Sequence, residues 1–251
     1  LEFRRVLFRS LATCAISVLV IVLAYALIGR QQVRPSAASA GRADIGRILA
    51  SPVMWWASTT NFARHAVANS WNYWLTTILV TDKGFSLATA ASLVALGAAV
   101  TMLSNIAGGY IADRLQRPIA VILTTFAALA VALFGLARAE SVAAVVAAVV
   151  GVAFFVQFAF GPMFAYPVRI LGTGSAGFIS GFSNTCANAG GLTGAFAVGL
   201  LKDVTGWFAS GVDALAGLCL IAIGCTAMLG RAGQAHLARV KEQVKPIAGG
   251  T

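Results

Sequence analysis

The chain has 251 residues, 59% of them hydrophobic and only 10% charged, and a formal net charge of +10. A soluble domain hydrates its surface with about a quarter charged residues, so the composition excludes an ordinary water-soluble globule and points to lipid as the solvent. The positive charge does not indicate nucleic acid, because the basic residues flank long apolar runs and are not interleaved with aromatics on one polar surface.

A membrane-spanning helix needs about 20 largely apolar residues. Leu1–Ser10, which begins Leu-Glu-Phe-Arg-Arg, reads as a non-native leader, a cloning or assembly scar, and is set aside. Leu11–Ile28 is the first predicted span. Residues 29–50, with Arg30, Arg34, Pro35, Arg42, Asp44 and Arg47, read as a solvated linker. A second span runs from Pro52, a proline suited to a first helical turn, to Val80, and Asp82-Lys83-Gly84 closes it. The following spans are Leu87–Ala112, Pro118–Ala137, Val142–Phe164 (bounded by Pro162 and Pro167), Ala176–Leu201 and Trp207–Leu229; residues 230–251 form a polar basic tail. The runs are too long, and too poor in period-two alternation, for a membrane β-barrel. The expected fold is an all-α polytopic bundle, six of whose helices lie within 51–229.

Cys14, Cys186, Cys219 and Cys225 lie in apolar stretches without metal-ligand spacing and read as small buried hydrophobes. With the linker in the cytoplasm, that side receives Arg30, Arg34, Arg42, Arg47, Arg114, Arg117, Arg169, Arg231, Arg239, Lys241 and Lys245, against Lys83, Arg138 and Lys202 outside. The positive-inside rule selects this orientation, with a cytoplasmic C-terminus.

Two segments repeat ninety positions apart: Gly109-Tyr-Ile-Ala-Asp113 and Gly199-Leu-Leu-Lys-Asp203 each close a glycine-rich helix with G-x-x-x-D. One Asp falls on each side of the membrane, so the six helices read as two triplets of inverted orientation.

Gly108-Gly109-Tyr110-Ile111-Ala112-Asp113-Arg114-Leu115-Gln116-Arg117-Pro118 resembles the G-x-x-x-D-R-x-G-R-R loop signature of the major facilitator superfamily, in its weaker, second-half form. Gln116 stands where the signature has its inner Gly, and Pro118 where it has its final basic residue. The resemblance implies that Leu11–Ile28 is the last helix of an N-terminal half missing from the chain, 29–50 the central cytoplasmic linker, and 51–229 the C-terminal six-helix half. It also implies alternating-access transport, with Asp113, Arg114 and Arg117 forming a latch against the other half. Asn188-Ala-Gly190-Gly191-Leu-Thr-Gly194 with Gly199–Gly206 looks like the helix-eleven region of organic-anion symporters in this superfamily, although Ala195 replaces a frequent proline.

Physical chemistry gives these residues roles of their own. Gly109 permits close helix approach. Asp113 can accept from a helix N-terminus or anchor the membrane edge, and Arg114 and Arg117 can pair with it or meet anionic head groups. Arg64 lies near the middle of its span, where a cation costs at least ~2.5 kcal/mol on the mildest insertion scale. Asn61, Arg64, His65, Trp71 and Asn72 gather toward one side of the helix, and this stripe is expected to line a polar cavity in which Arg64 holds a carboxylate or phosphate bidentately. The competing role for Arg64 is an ion pair; these spans carry no midplane Asp or Glu to serve it, which leaves the missing half to supply one. His65 either titrates with substrate-coupled protons or is a hydrogen-bonded packing residue. Asn184 and Asn188, four apart, either line the cavity or bond between helices, as does Gln157; Phe154, Phe155, Phe158, Phe160 and Phe164 read as packing or lipid-facing residues.

No nucleotide-binding loop or histidine–carboxylate cluster is evident, so no enzyme activity, metal or cofactor is expected. The expected function is proton-coupled symport of a small organic anion across an inner (plasma) membrane, with the bilayer and the missing half as partners. The alternatives are efflux of a drug-like solute, or a transporter-like sensor that binds without moving its ligand.

Overall fold

The structure is a computed structural model that describes residues 42–244 and, within the predicted first span, the helical positions Ala15, Val18, Leu19, Val22 and Leu23. The expected leader, the rest of Leu11–Ile28, the linker up to residue 41 and the tail beyond Val244 lie outside the described residues. The described residues from 42 to 244 belong to one compact unit, and every described element is helical.

The end of the predicted linker is helix α1, Arg42–Leu49, with Asp44 in its first turn and Arg47 in its last, as the helix dipole favours. It sets Ile48 against Met54 and Ile179. Helix α2, Pro52–Thr81, begins with the expected first-turn proline. Helix α3, Leu87–Leu115, is N-capped by Ser86, whose Oγ accepts from the Thr89 N–H at 3.1 Å. Helix α4 is Pro118–Arg138. Helix α5, Val142–Phe158, is capped by Ser141 Oγ, which accepts from the Ala144 N–H at 3.2 Å.

The predicted fifth span does not run unbroken to Phe164. It stops at Phe158, and a separate helix α6 covers Phe160–Leu171. Pro162 has no N–H for the Phe158 carbonyl four residues earlier, and its ring crowds that carbonyl, so the break falls at Ala159. After a short 3-10 turn, Thr173–Ser175, come α7, Ala176–Thr205, closed by Gly206 at φ +83°, and α8, Phe208–Val244. The expected tail therefore begins as helix: Arg231–Val244 is rich in good helix formers and extends α8 well past Leu229.

By length and composition, four helical stretches among the described residues are apolar enough to cross a membrane: Leu87–Leu115, Pro118–Arg138, Val142–Leu171 and Phe208–Glu242. Six were expected. The other two, α2 and α7, are 30 residues each but carry Asn, Ser, Thr and, in α2, Arg and His. These two polar helices pack lengthwise on one another.

The helix order contains a repeat. Pro52 to Val142, Leu87 to Ala176 and Pro118 to Phe208 are displacements of 90, 89 and 90 residues between helix starts. Buried positions follow the same shift: Leu93, Gly97, Ser104 and Gly108 of α3 correspond to Ser183, Ala187, Gly194 and Val198 of α7. In α4, Val121, Ile122, Thr125, Phe126 and Leu129 correspond to buried Gly211, Val212, Leu215, Ala216 and Cys219 of α8. Pairing between the triplets is reciprocal. The first helix of each packs on the second of the other (α2 with α7, α3 with α5), and the third helices, α4 and α8, pack together. Contacts advance in step along α2 and α7 (Phe62 with Gly190, Ala66 with Gly194, Trp74 with Gly199), so those two are parallel. Ile119 meets Gly230 while Arg138 meets Asp213, so α4 and α8 are antiparallel. This is the pattern of two inverted triplets. Phe126, Leu129, Leu133, Val149, Val152, Phe208 and Cys219 fill the core between α2, α4, α5 and α8.

Candidate functional site

Arg64 lies about 18 Å along α2 from Pro52 and is 3% exposed. Its guanidinium is held on three sides. Nη1 donates to Gln157 Oε1 of α5 at 2.6 Å. Nη2 lies 2.9 Å from His65 Nδ1 and 3.2 Å from Nε2. The Phe160 ring of α6 lies 4.9 Å from Cζ, a cation–π distance. The break at Ala159 thus places Gln157 and Phe160, from successive helices, around one cation.

His65 faces both a donor and an acceptor. Nδ1, the ring nitrogen nearer to Arg64 Nη2, is also 3.3 Å from the Asn61 carbonyl oxygen, and a neutral ring accepts from Nη2 through whichever nitrogen carries the lone pair. Arg64 Nε is buried without a hydrogen-bond partner, and among the described residues no carboxylate pairs with the guanidinium.

The predicted polar stripe divides in two. Arg64 and Trp71 share the face of α2 turned into the bundle, since seven residues make almost two whole turns. Trp71 belongs to the hydrophobic core, which corrects its expected place on the cavity wall. Asn61 is also buried: its Nδ2 donates to the Ala57 carbonyl at 3.2 Å and its Oδ1 is unpartnered. The open face lies one residue further round, with His65 and Asn69 half-buried and Asn72 and Tyr73 exposed. Beside it, between α2 and α7, is a groove of about 500 Å³ lined by Asn69, Tyr73, Trp74, Asn188, Leu192 and Phe196 among others. Asn188 donates from Nδ2 to the Asn184 carbonyl at 2.8 Å, within its own helix, and both residues are exposed. Ser104 Oγ and Thr101 Oγ1 of α3 donate to the carbonyls of Phe154 and Ala153, tying α3 to α5 next to Gln157.

At the opposite ends of α3 and α6, Asp113 pairs with Arg169 at 3.7 Å beside a cleft of about 160 Å³. Arg114 Nη1 donates to Tyr110 Oη at 3.3 Å, and Arg117 is exposed immediately before α4. Gly109 is not the close-approach glycine: a Cβ there would meet nothing within 4 Å, whereas one on Gly108 would overlap the Phe158 carbonyl. Gly199 packs on Trp74, and exposed Asp203 lies 3.6 Å from Lys202. The aromatics Phe154, Phe155 and Phe158 cluster together and Phe160 stacks on Phe164, as expected of packing residues. The contact of Phe160 with Arg64 adds a role that sequence spacing does not reveal. Asn69, by contrast, stands one turn beyond His65 and could have been read from the helical period.

A polytopic helical bundle of two inverted triplets, with a desolvated cation between helices, is a plan found in secondary transporters. The chain belongs to the Major Facilitator Superfamily, whose family model matches residues 9–195. It is 32% identical over 129 residues to monocarboxylate transporter 13 of Rattus norvegicus, covering 50% of this chain and 29% of that protein. It is also similar in structure to the E. coli fucose:proton symporter FucP, with a TM-score of 0.59 and 16% identity over 77% of this chain and 45% of that one. The chain thus spans less than half the length of each of these relatives.

Proposed function

We propose that this chain is the C-terminal half of a secondary transporter that moves a small organic anion, carried on a carboxylate, by proton-coupled symport. The carrying observation is Arg64. A cation in mid-span with Nε unpartnered and no carboxylate beside it, among the described residues, is a desolvated charge that an anionic ligand would neutralise. The similarity to a protein named a monocarboxylate transporter agrees with a carboxylate as the ligand's charged group. The groove lined by Asn69, Tyr73 and Asn188 opens on the neighbouring face of α2, with neither Arg64 nor His65 in its lining.

Transport then takes place across an inner (plasma) membrane with the C-terminus cytoplasmic, by rocking this six-helix half against an N-terminal half. Asp113, Arg114 and Arg117 act at the cytoplasmic end as a latch that stabilises one access state, Arg169 being the partner of Asp113 within this half. The test is uptake of radiolabelled monocarboxylates into proteoliposomes containing the full-length transporter. Loss of uptake in both Arg64→Ala and Arg64→Lys is expected of bidentate recognition, while survival in Arg64→Lys alone would mean simple charge attraction. Full uptake by Arg64→Ala would end the proposal.

A further inference from the structure

The three groups around the Arg64 guanidinium are not equivalent, and the difference assigns them separate roles. A carboxylate grips a guanidinium best through two parallel N–H bonds from one edge. The edge toward Gln157 is engaged by a carboxamide oxygen, a neutral acceptor set on α5 and backed by the α3 hydroxyls that bond the carbonyls of Ala153 and Phe154. The other edge consists of Nε, which has no partner, and Nη2, whose acceptor is the imidazole of His65. His65 belongs to the half-buried, open side of α2, whereas Arg64 points inward. One rotation of a single side chain therefore frees Nη2, next to the unpartnered Nε. Turning away Gln157 would free only Nη1.

We infer that His65 is a built-in occupant of the anion's place: the ligand carboxylate displaces the imidazole and takes Nε and Nη2 together, while Gln157 keeps Nη1 and holds the guanidinium in position throughout. This rests on the reading of Arg64 as an anion site and adds the order of events at it. The exchange replaces one neutral acceptor by two charge-assisted bonds and satisfies the orphaned Nε. It also links the site to protons. Only a neutral ring has the lone pair that Nη2 uses, so protonating His65 breaks the internal bond and opens the edge. Arg64 is the charged group that faces His65 among the described residues; Asn61 contributes its carbonyl, and α5 and α6 contribute uncharged Gln157 and Phe160 to the same cluster. The displaced imidazolium is then free to donate to the bound carboxylate. His65 and Gln157 are positioning residues, and Arg64 is the ligand-contacting one.

The experiment measures the apparent Kd of the full-length transporter for radiolabelled monocarboxylates ranging from acetate to benzoate, at pH 5.5 and pH 8, for wild type and variants. The probe with the tightest wild-type binding is carried through. His65→Ala and His65→Phe, neither of which can accept from Nη2, should bind about three- to tenfold tighter at pH 8, the size of one competing hydrogen bond removed. The wild type's preference for acid pH should disappear in both. Gln157→Glu should lose binding by about a hundredfold or more, because a fixed carboxylate then neutralises the guanidinium, and Gln157→Ala by about tenfold. A merely structural His65 would not give tighter binding on removal, and His65→Phe preserves the ring volume should His65→Ala fail to fold. Weaker binding in both His65 variants, with binding still dependent on Arg64, would overturn this inference and leave the anion site standing. Binding to wild type that survives in Arg64→Ala, or no binding by wild type across the panel, would remove the anion reading itself.

Discussion

The carboxylate of Asp82 accepts a hydrogen bond from the backbone N–H of Phe208 at 2.9 Å, and so joins the end of α2 to the start of α8. Its neighbour works with the opposite polarity. The Lys83 ammonium donates to the carbonyls of Ala137 and Ala139, at 3.3 and 2.9 Å, where α4 ends. An anion at a helix N-terminus and a cation at a C-terminus each match the helix dipole. Two consecutive residues therefore pin α2 to both third helices of the inverted triplets. Removing the Asp82 acceptor strands a donor at the start of α8. Asp82→Ala should lower stability by about 1–2 kcal/mol, read as a lower midpoint in thermal unfolding of the detergent-solubilised protein. Asp82→Asn, which keeps an acceptor but not the charge, should fall between the two. An unchanged midpoint in Asp82→Ala would remove the staple.

Gly108 and Gly109 make a sharp pair of controls. The backbone of α3 approaches the Phe158 carbonyl so closely at Gly108 that any Cβ must push α5 away, whereas Gly109 has open space. Gly108→Ala should destabilise by about 1–3 kcal/mol through overpacking, and Gly109→Ala should stay within about 0.5 kcal/mol of wild type. Melting of the two variants side by side checks this. Because the Phe158 carbonyl lies between Gln157 and Phe160, Gly108→Ala should also weaken anion binding, by moving the groups that hold Arg64.

Most of the fold was legible along the chain because its causes are local. Pro52 and Pro118 start helices for reasons contained in their own rings, and Ser86 and Ser141 cap theirs within three residues. The ninety-residue echo of Gly109–Asp113 in Gly199–Asp203 is also visible without coordinates. The break at Ala159 had its signal in Pro162, but the unbroken apolar run around it reads as one span. The site was only half legible. Arg64 stands out by the cost of a cation in lipid, yet its partner Gln157 is 93 residues away and its ring contact Phe160 is further still. Trp71 packs in the core because Arg64, two turns before it, points into the protein, and the more open strip begins at His65.

The loop before α4 contains a second readable conflict. Gln116 adopts φ +52°, the left-handed region, and is the one described non-glycine residue with positive φ. It stands where the loop signature it resembles has glycine. A side chain there costs about 1–2 kcal/mol, partly offset by a hydrogen bond from Gln116 Nε2 to the Asp113 carbonyl. Gln116→Gly should therefore be neutral to stabilising, by up to about 1 kcal/mol, whereas Gln116→Val should destabilise by more than that. Melting midpoints in detergent give both signs. A large loss in Gln116→Gly would mean that the side-chain bond outweighs the backbone strain.

At the Arg64 guanidinium, stability and ligand binding make opposite demands. The Arg64 guanidinium is desolvated, and Nε lacks a partner. An arrangement optimised for folding alone would not keep it: replacing buried charges by apolar groups of similar volume is often neutral or stabilising by about 1–4 kcal/mol. Arg64→Met keeps most of the length and removes the charge, and it frees Gln157 and His65 from their only shared partner. Both of those side chains are half-buried. Arg64→Met should therefore melt at or above the wild-type temperature while losing carboxylate binding altogether, the trade expected where a binding site holds strain that folding does not require. Wild type titrated with a bound monocarboxylate should close the gap, since the ligand supplies the missing partner and stabilises by mass action. If Arg64→Met melted well below wild type without ligand, the guanidinium would be a structural strut held by Gln157 and His65, and the case for a waiting anion site would lose its physical basis.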